Sequence, residues 1–464
     1  MVVVLSSAAT GCGGDGASPT TTTRAPSASA IPVVIDTDVA IDDLVALTFL
    51  LASDEVDVRA ITVSGAGEVR CPAGIGVVQE LLARTGDENV PVACGRSTPL
   101  AGTHEFPAEW RDAADSGWGV VEPTRTPEPD ARSAVELLVD TVEPGVTLLT
   151  LGPLTNIADA FRRDPELAER IASIVTMGGA VDTSGNVTEP GLDAADSEWN
   201  VYVDPIAASE VFGSGAPLIL VPLDATNQVP VTPLFLERLA LNGHTPASSL
   251  VAELYQASPL VENGRAYFWD PLAAAAVIDP GLVKTERADI AVVTEDGPDI
   301  GRTVPSADGH PIDVATFADA GMFEDLLLRT LDDVQPDEAL VEPSSAEGDT
   351  VVAYDGTDCT YDGPTTVTAG RVGFAFETVD SAWVAAIIQL SGESTIEEIV
   401  AWVEANPGMK ADPDMKEAPP GIEEVILVPS GATTYVTVKP PGVGVICSTR
   451  GPGPLLIATT LTVE

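Results

Sequence analysis

Short apolar runs alternate with segments of helical character over most of the first 335 residues. The apolar runs have the length and composition of buried strands, and they cover residues 31–35, 58–63, 90–93, 146–150, 171–176 and 217–221. Helices are predicted at 44–51, 72–83, 133–142, 233–278 and 318–331, irregular structure at 95–130, and two edge strands at 288–293 and 312–316. Strands that alternate with helices predict an α/β domain over residues 31–335, with a mostly parallel sheet and helices on both faces.

The pattern changes after a polar linker at residues 336–349. Residues 350–464 contain short β-rich runs interrupted by one predicted helix at 395–406. This arrangement predicts a smaller all-β domain, a β-sandwich, for which a cupredoxin-like fold is one candidate. The chain has no histidine beyond residue 310, so the sequence argues against a copper site in this part.

The first 30 residues differ from both predicted domains. Residues 2–9 are a short apolar stretch, and residues 9–12, Ala-Thr-Gly-Cys, resemble a bacterial lipoprotein signal in which Cys12 carries the lipid. The basic segment expected before such a stretch is absent, so a frayed apolar terminus is the alternative. Residues 16–30 are rich in Ser, Thr, Ala and Pro, as in a flexible tether. We expect an extracytoplasmic, lipid-anchored protein that meets the membrane only through its lipid.

The chain is strongly acidic, with 71 Asp and Glu against 22 Lys and Arg and a formal charge of −49. This charge argues against nucleic acid as a partner and indicates a well hydrated surface, suited to high salt. The sequence contains no CxxC motif, so a zinc site is not expected. Outside the cytoplasm disulfides persist, so Cys359 and Cys447 could pair, while Cys71 and Cys94 could pair or stay free.

Four aspartates lie between the first predicted strand and the first predicted helix. In open α/β sheets this is the edge where ligands bind. Asp36 and Asp38 share a face if the strand continues, and Asp42 and Asp43 fall at the helix start. Like charges at this spacing repel one another, and a hard cation with oxygen ligands, calcium or magnesium, would relieve the repulsion. A solvated acidic loop is the alternative interpretation.

The sequence around these aspartates resembles a known family. Residues 33–43 are similar to the N-terminal signature of the inosine-uridine preferring nucleoside hydrolases, with Val39-Ala40 where that family usually has Pro-Gly. Four further stretches resemble the family in the same order, at residues 151–156, 177–187, 198–205 and 269–273. Five matches with compatible spacing are specific together, and they cover roughly residues 31–335.

The resemblance implies a calcium-dependent hydrolysis of the N-ribosidic bond of purine or pyrimidine nucleosides, yielding ribose and free base. Asp38 would be the general base that activates a metal-bound water. By resemblance, the ligands of Ca²⁺ would be the carboxylates of Asp38, Asp43 and Asp270 and the backbone carbonyl of Leu151. The residues implied to bind the ribose hydroxyls are Asp42, Asn186, Glu198 and Asn200.

The main departure from the family lies at Trp269, where members typically have a histidine that is a candidate acid for the leaving base. His104 is one replacement for that acid, and Cys71 is a weaker one. Trp269 could instead stack on a purine and help the base to leave without protonation. The family's asparagine in the Gly-rich loop after the second strand is also not evident, since Ala66-Gly67 stands in that region.

Two other functions stay open at this point. A non-catalytic nucleoside- or ribose-binding lipoprotein would keep the calcium site, and the missing histidine is the feature that favours it. A second alternative places the main role in the C-terminal domain, as an adhesion or envelope-docking module. The sequence also leaves open whether the chain forms an oligomer.

Overall fold

A computed structural model describes residues 29–464 with internal gaps. The residues left out of this range are 193, 335–339, 341–349, 368–369, 379–382, 391–394, 406–421, 429–432, 439–440, 450–454 and 464. The predicted lipoprotein signal with Cys12 lies outside the described residues, as does nearly all of the predicted linker at 336–349. The proposed domain boundaries therefore stay predictions.

A nine-stranded, mostly parallel sheet forms the centre of the N-terminal region, as predicted. Its strands are β1 (Ile31–Thr37), β2 (Val56–Val63), β3 (Val92–Cys94), β4 (Thr147–Thr150), β5 (Ser173–Met177), β6 (Leu218–Val221), β7 (Val283–Val292), β8 (Thr303–Pro305) and β9 (His310–Ala318). The order is β3-β2-β1-β4-β5-β6-β9-β7-β8. Neighbours from β3 to β9 are parallel, while β7 pairs antiparallel with both β9 and β8.

Helices cover both faces of this sheet. They are α1 (Ile41–Ala52), α2 (Ala73–Thr85), α3 (Ala108–Asp115), α4 (Ala134–Thr141), α5 (Thr155–Arg163), α6 (Leu167–Arg170), α7 (Trp199–Val203), α8 (Pro205–Phe212), α9 (Leu223–Thr226), α10 (Pro233–Asn242), α11 (Pro246–Ala257), α12 (Pro259–Glu262), α13 (Trp269–Ile278) and α14 (Ala320–Asp332). Within the described part of the chain, no helix has the length and apolarity needed to cross a bilayer.

The interior strand β1 shows why both faces are covered. Val33 and Ile35 belong to one hydrophobic cluster and Val34 to another, and all three are fully buried. A continuous apolar run is typical of a parallel strand that is packed on both sides. Because β1 is an interior strand, third from the edge formed by β3, and ends at Thr37, the acidic residues that follow emerge at the carboxyl edge of the sheet.

Three local predictions are wrong. Residues 95–130 are not wholly irregular, since α3 and a 3₁₀ turn at Gly117–Gly119 lie there. The strands predicted at 288–293 and 312–316 are not edges, because β9 lies between β6 and β7, and β7 lies between β9 and β8. The edge on this side of the sheet is β8, a three-residue strand that the sequence did not predict. Strand order depends on how the chain crosses the sheet, which local hydrophobic pattern does not encode.

The C-terminal region is β-rich, as predicted. Its strands form two sheets, ordered β11-β10-β13-β16 and β12-β18-β17-β14-β15. They are β10 (Thr350–Tyr354), β11 (Cys359–Asp362), β12 (Thr366–Val367), β13 (Gly370–Thr378), β14 (Trp383–Leu390), β15 (Ile422–Val428), β16 (Thr433–Val438), β17 (Gly442–Thr449) and β18 (Leu455–Val463). The helix α15 (Ile396–Ala405) also lies among the described residues of this region. A disulfide joins Cys359 of β11 to Cys447 of β17, with their Cα atoms 5.8 Å apart. The cupredoxin-like sandwich stays a prediction.

Candidate active site

The turn between β1 and α1 is closed by the side chain of Asp43. Its Oδ1 accepts hydrogen bonds from the Thr37 hydroxyl and from the backbone N–H of Asp38, at 3.1 Å for the latter. Its Oδ2 accepts from the backbone N–H of Ala40 at 3.1 Å. Asp43 lies in the first turn of α1, where exposed backbone N–H groups favour a negative charge. The sequence around Asp43 therefore forms an acidic turn closed by hydrogen bonds to one carboxylate.

Val39, which stands where the family usually has a proline, adopts an uncommon backbone conformation within this turn. Its φ is 62°, in the left-handed region that β-branched residues avoid, and its side chain is fully buried. The Thr37 hydroxyl accepts a hydrogen bond from the Val39 N–H at 3.1 Å. Strained backbone of this kind persists where the surroundings impose it, and it is concentrated at functional sites.

Three carboxylates converge beside the turn. Oxygens of Asp42, Asp43 and Asp270 all lie within 4.8 Å of one another. Asp270 comes from the first turn of α13, which packs against α1, so two helix starts meet at this point. Burial, followed by the charges of Asp42 and Asp43, raises the pKa of Asp270 well above its usual value. Burial and the charge of Asp43 raise the pKa of Asp42 to about 7.

Asp38 lies next to this acidic trio in a narrow space between two loops. A Cβ added to Gly67 would lie 2.4 Å from Asp38 Oδ2, and one added to Gly152 would lie 2.8 Å from Asp38 Cβ. Both positions therefore need glycine. Asp38 Oδ2 accepts a hydrogen bond from the Glu68 N–H at 2.9 Å. Burial, then the charges of Asp43 and Glu68, raises the pKa of Asp38 well above its usual value.

The arrangement fits a divalent cation held by oxygen ligands. Oδ1 of Asp270 is buried and has no hydrogen-bond partner among the residues that the structure describes. A buried carboxylate oxygen without a donor is costly, and three like charges around it add repulsion that a cation would remove. The trio and the predicted ligand set share Asp43 and Asp270. The trio adds Asp42, whereas the prediction added Asp38 and the Leu151 carbonyl. Whether the ion is calcium stays a prediction.

Asp36, the first of the four aspartates, is not part of the trio. Its Oδ1 accepts hydrogen bonds from the Thr62 hydroxyl at 2.5 Å and from the Asn156 amide at 2.7 Å. Burial raises the pKa of Asp36 to about 7. Since β1 ends at Thr37, the expected common face of Asp36 and Asp38 does not persist, and Asp36 serves to join β1 to β2 and α5.

The predicted ribose-binding residues Asn186, Glu198 and Asn200 meet at the start of α7. Glu198 caps this helix: its carboxylate accepts hydrogen bonds from the N–H of Asn200, of Val201 and of Gly179, at 3.0, 3.2 and 2.9 Å. Asn186 Oδ1 accepts from the Trp199 N–H at 3.1 Å.

Asn200 connects this group to the carbonyl predicted to bind calcium. Its Nδ2 donates to the Leu151 carbonyl at 3.0 Å. Leu151 directly follows β4, so this contact links the start of α7 to the carboxyl edge of the sheet. A carbonyl oxygen has two lone pairs, so the Leu151 carbonyl can bind a cation in addition to accepting the hydrogen bond from Asn200. The binding roles of these residues stay predictions.

The candidates for assisting the leaving base lie in different surroundings. Trp269 opens α13 directly before Asp270 and packs against Tyr267, with 5.6 Å between ring centroids. Its indole Nε1 is buried without a partner among the described residues. His104 stacks on the ring of Tyr202 at 4.4 Å, and its Nδ1 lies 3.0 Å from the Tyr202 carbonyl oxygen. It borders a cavity of about 430 Å³.

Cys71 is not an acid candidate. It forms a disulfide with Cys94, with 6.2 Å between their Cα atoms, so it has no thiol proton to donate. The sequence left open whether Cys71 and Cys94 pair or stay free, and in the structure they pair. The proximity of the two cysteines follows from the pairing of β2 with β3, which brings the loop after β2 beside the end of β3.

Glu68 is a site residue that the sequence reasoning did not find. Its side chain is 7% exposed, and burial, followed by the charges of Asp42 and Asp43, raises its pKa well above the usual value. Glu68 lies in the loop after β2, the strand adjacent to β1. Because neighbouring parallel strands end at the same edge of a sheet, a carboxylate in this loop was a detectable candidate.

Residues 33–325 match the family model described as inosine-uridine preferring nucleoside hydrolase. The chain is 35% identical over 288 residues to the pyrimidine-specific ribonucleoside hydrolase RihA of Citrobacter koseri, covering 59% of this chain and 88% of that relative. It resembles the inosine-uridine preferring nucleoside hydrolase of Bacillus anthracis with a TM-score of 0.57 and 30% identity, covering 65% and 99% of the two chains. The purine-preferring ribonucleoside hydrolase of Gardnerella vaginalis gives a TM-score of 0.58 and 28% identity, covering 65% and 98%.

Proposed function

Because the chain belongs to the inosine-uridine preferring nucleoside hydrolase family and is a ribonucleoside hydrolase, we propose that its activity depends on calcium, with Asp38 as general base. The observation that carries this proposal is the buried Oδ1 of Asp270, which lies beside two further carboxylates and has no hydrogen-bond partner in the described part of the chain. Asp43 and Asp270 belong both to the predicted ligand set and to the trio, so they would hold the ion. Asp38, Asp42 and the Leu151 carbonyl would supply further oxygens.

The chemistry proposed for these residues follows from their placement. A bound calcium ion would supply positive charge that lowers the pKa of a coordinated water. Asp38 takes the proton from the attacking water, and its orientation is held by the Glu68 N–H and the adjoining glycines Gly67 and Gly152. Cleavage of the N-ribosidic bond develops positive charge on the sugar, and the surrounding carboxylates stabilise that charge.

We propose that recognition is strict for the sugar and looser for the base. Asp42, Asn186, Glu198 and Asn200 are the proposed partners of the ribose hydroxyls. The relatives include a pyrimidine-specific enzyme and a purine-preferring one, so base preference does not transfer from them to this chain. Trp269 is proposed to stack on a purine base, with His104 as the alternative group that protonates it.

The test is a reducing-sugar assay on purine and pyrimidine ribosides, before and after exhaustive chelation and with calcium or magnesium added back. We expect ribose to be released from at least one riboside, to stop on chelation and to resume with calcium. Full activity after chelation would contradict the metal requirement. Binding of nucleosides without release of ribose would favour the non-catalytic binding protein instead.

We also propose that the protein is extracytoplasmic and anchored through a lipid on Cys12. The two disulfides, Cys71–Cys94 and Cys359–Cys447, support this location, because disulfides persist outside the reducing cytoplasm. The nucleoside is the expected partner, and the membrane is contacted only through the anchor.

A further inference from the structure

Arg111 of α3 is a buried cation beside the loop that follows β2, residues 64–71. Only 7% of Arg111 is exposed. One terminal nitrogen of its guanidinium donates to the Gly65 carbonyl at 3.1 Å, and the other donates to the Glu105 carboxylate at 3.2 Å. The side chain of Glu105 is 70% exposed, so water screens this ion pair and it contributes little. The buried contact of Arg111 is therefore the one with Gly65.

The loop at residues 64–71 contacts Asp38 at three points. The N–H of Glu68 donates to Asp38 Oδ2, and the N–H of Val69 donates to the Asp38 carbonyl, both at 2.9 Å. Gly67 packs so closely on Asp38 that a methyl group added to it would overlap the carboxylate. The loop therefore holds both the backbone and the side chain of the proposed general base.

Gly65 lies in the bend at the start of this loop. The N–H of Gly67 donates to the Ser64 carbonyl at 3.0 Å, so Gly65 and Ala66 form the bend between them. A displacement of Gly65 would therefore shift Gly67 and the two N–H groups that follow it relative to Asp38.

We propose that Arg111 is a positioning residue that holds this loop against Asp38 and so orients the general base, an inference that rests on the proposed function. Displacing a catalytic group by about 1 Å can cost about a hundredfold in rate, so a small shift of the loop is enough to slow the reaction. The planar guanidinium presents donors on two sides, whereas a lysine ammonium acts as a point charge. Arg111 Nε has no hydrogen-bond partner in the described part of the chain, so the two terminal nitrogens provide the contacts.

The contact with Glu105 defines a competing role for Arg111. Glu105 is adjacent to His104, the alternative group that protonates the base. Acting through Glu105, Arg111 would affect the departure of the base, whereas acting through Gly65 it affects the attack of water. Nitrophenyl riboside separates the two roles, because its leaving group needs no proton.

The experiment measures kcat on a riboside and on nitrophenyl riboside for wild type, Arg111→Ala, Arg111→Lys and Glu105→Gln. Arg132→Ala is the matched control, since Arg132 pairs with Asp130 at 2.8 Å ahead of α4. We expect Arg111→Ala to lower kcat by about ten- to a hundredfold on both substrates, because both need the attacking water. Glu105→Gln should stay within about a factor of two of wild type, because it removes only the exposed ion pair.

Three outcomes would overturn the proposal. They are an unchanged kcat in folded Arg111→Ala, a loss that spares nitrophenyl riboside, and an equal loss in Glu105→Gln. A role in stability alone would lower Tm and leave kcat unchanged well below the unfolding temperature. If the alanine variant does not fold, Arg111→Lys decides: we expect kcat to fall about tenfold or more, and a wild-type kcat would contradict the role.

Hydrogen exchange tests the positioning without relying on activity. The amides of Glu68 and Val69, which donate to Asp38, should exchange about tenfold faster or more in Arg111→Ala, and at the wild-type rate in Arg132→Ala. Unchanged exchange of both amides in Arg111→Ala would also overturn the proposal. If wild type releases no ribose, the proposed function fails, and the exchange rates still decide whether Arg111 holds the loop.

Discussion

At the scale of single residues, Asp43 combines a structural and a chemical role. Its carboxylate accepts hydrogen bonds from Thr37, Asp38 and Ala40, and it also stands within the trio formed with Asp42 and Asp270. The sequence placed Asp43 correctly at a helix start but could not show that its neighbour in space would be Asp270. The same carboxylate thus shapes the turn that presents Asp38.

Asp43→Asn should remove the response to calcium. In wild type, calcium at a hundred times its Kd should add about 2.7 kcal/mol to the free energy of unfolding, because the ion binds only the native state. The variant should show no calcium-induced rise in Tm, and its kcat/KM should fall by more than the roughly 10–100-fold that loss of an outer partner costs. Calorimetry and the sugar assay measure both, with the exposed Asp308→Asn as control. A normal calcium response in Asp43→Asn would remove Asp43 from the ligand set.

Trp269→Ala tests how the base leaves. If the indole stacks on the base, kcat/KM on inosine or guanosine should fall by about ten- to a hundredfold, consistent with roughly 1–3 kcal/mol for stacking. Uridine should be affected less, because its ring system is smaller. An equal loss on inosine and uridine would assign Trp269 to packing, which its contact with Tyr267 alone would explain.

His104→Ala separates the alternative acid from this stacking role. If His104 protonates the leaving base, the variant should lose activity on inosine but retain it on nitrophenyl riboside, whose leaving group needs no proton. If the two substrates are affected equally, the stack of His104 on Tyr202 is structural. Steady-state rates of Trp269→Ala and His104→Ala on inosine and on nitrophenyl riboside distinguish these cases.

At the scale of elements, the site forms where the starts of α1 and α13 meet the ends of β1, β2 and β4. Each element supplies a small part: α1 gives Asp42 and Asp43, α13 gives Asp270, and the loop after β2 gives Glu68. β1, α1 and β2 follow one another in the chain, whereas β4 and α13 are remote in sequence and reach the site through the sheet and the packing of α13 on α1. Substitutions that loosen the loops between these elements should therefore lower activity as well as stability.

Replacing both Cys71 and Cys94 by serine should lower stability and raise KM. The disulfide spans 23 residues, for which the chain-entropy relation gives roughly 3 kcal/mol, and the loop it restrains carries Glu68. The matched control is the double serine variant of Cys359 and Cys447, which spans 88 residues and should leave kcat/KM unchanged. Denaturant unfolding and steady-state kinetics measure the two effects. An unchanged KM without the first disulfide would show that hydrogen bonds hold the loop adequately, among them the one that the Arg111 guanidinium donates to the Gly65 carbonyl at 3.1 Å and the one that the Glu68 N–H donates to Asp38.

At the scale of the whole molecule, the family match and the candidate site both lie in the N-terminal region. The match ends at residue 325, and α14, which ends at Asp332, buries Phe323, Leu327 and Leu328 in the main hydrophobic cluster. The C-terminal region has its own core, with Val352, Phe374 and Val445 among its buried residues. Its role, including the docking function considered above, stays a prediction.

A chain that ends after residue 340 should fold and hydrolyse ribosides with the KM of the full chain. The expectation follows from the location of every candidate site residue before residue 271. Thermal unfolding establishes whether the shortened chain folds, and the sugar assay compares it with the full chain. A folded but inactive product would show that the β-rich region contributes to the site.

Cys12→Ser should release the protein from the membrane. With a basic segment added ahead of the chain and a bacterial host, the unmodified sequence should partition into detergent, because acylation adds about 0.8 kcal/mol per buried methylene group. Phase separation followed by immunoblotting compares the two forms. Equal partitioning of both forms would contradict lipidation at Cys12.

The sequence by itself determined the α/β class, the family and the aspartates around Asp38, because these depend on local hydrophobic pattern and on motifs of adjacent residues. The tertiary structure decided which groups meet: that Asp42 rather than Asp38 completes the trio, that Asp36 joins β1 to its neighbours, and that Cys71 pairs with Cys94. It also placed β9 inside the sheet and brought Glu68 beside the acidic residues. The physical reason is that strand order and helix packing set distances between residues remote in sequence, and no local pattern contains those distances.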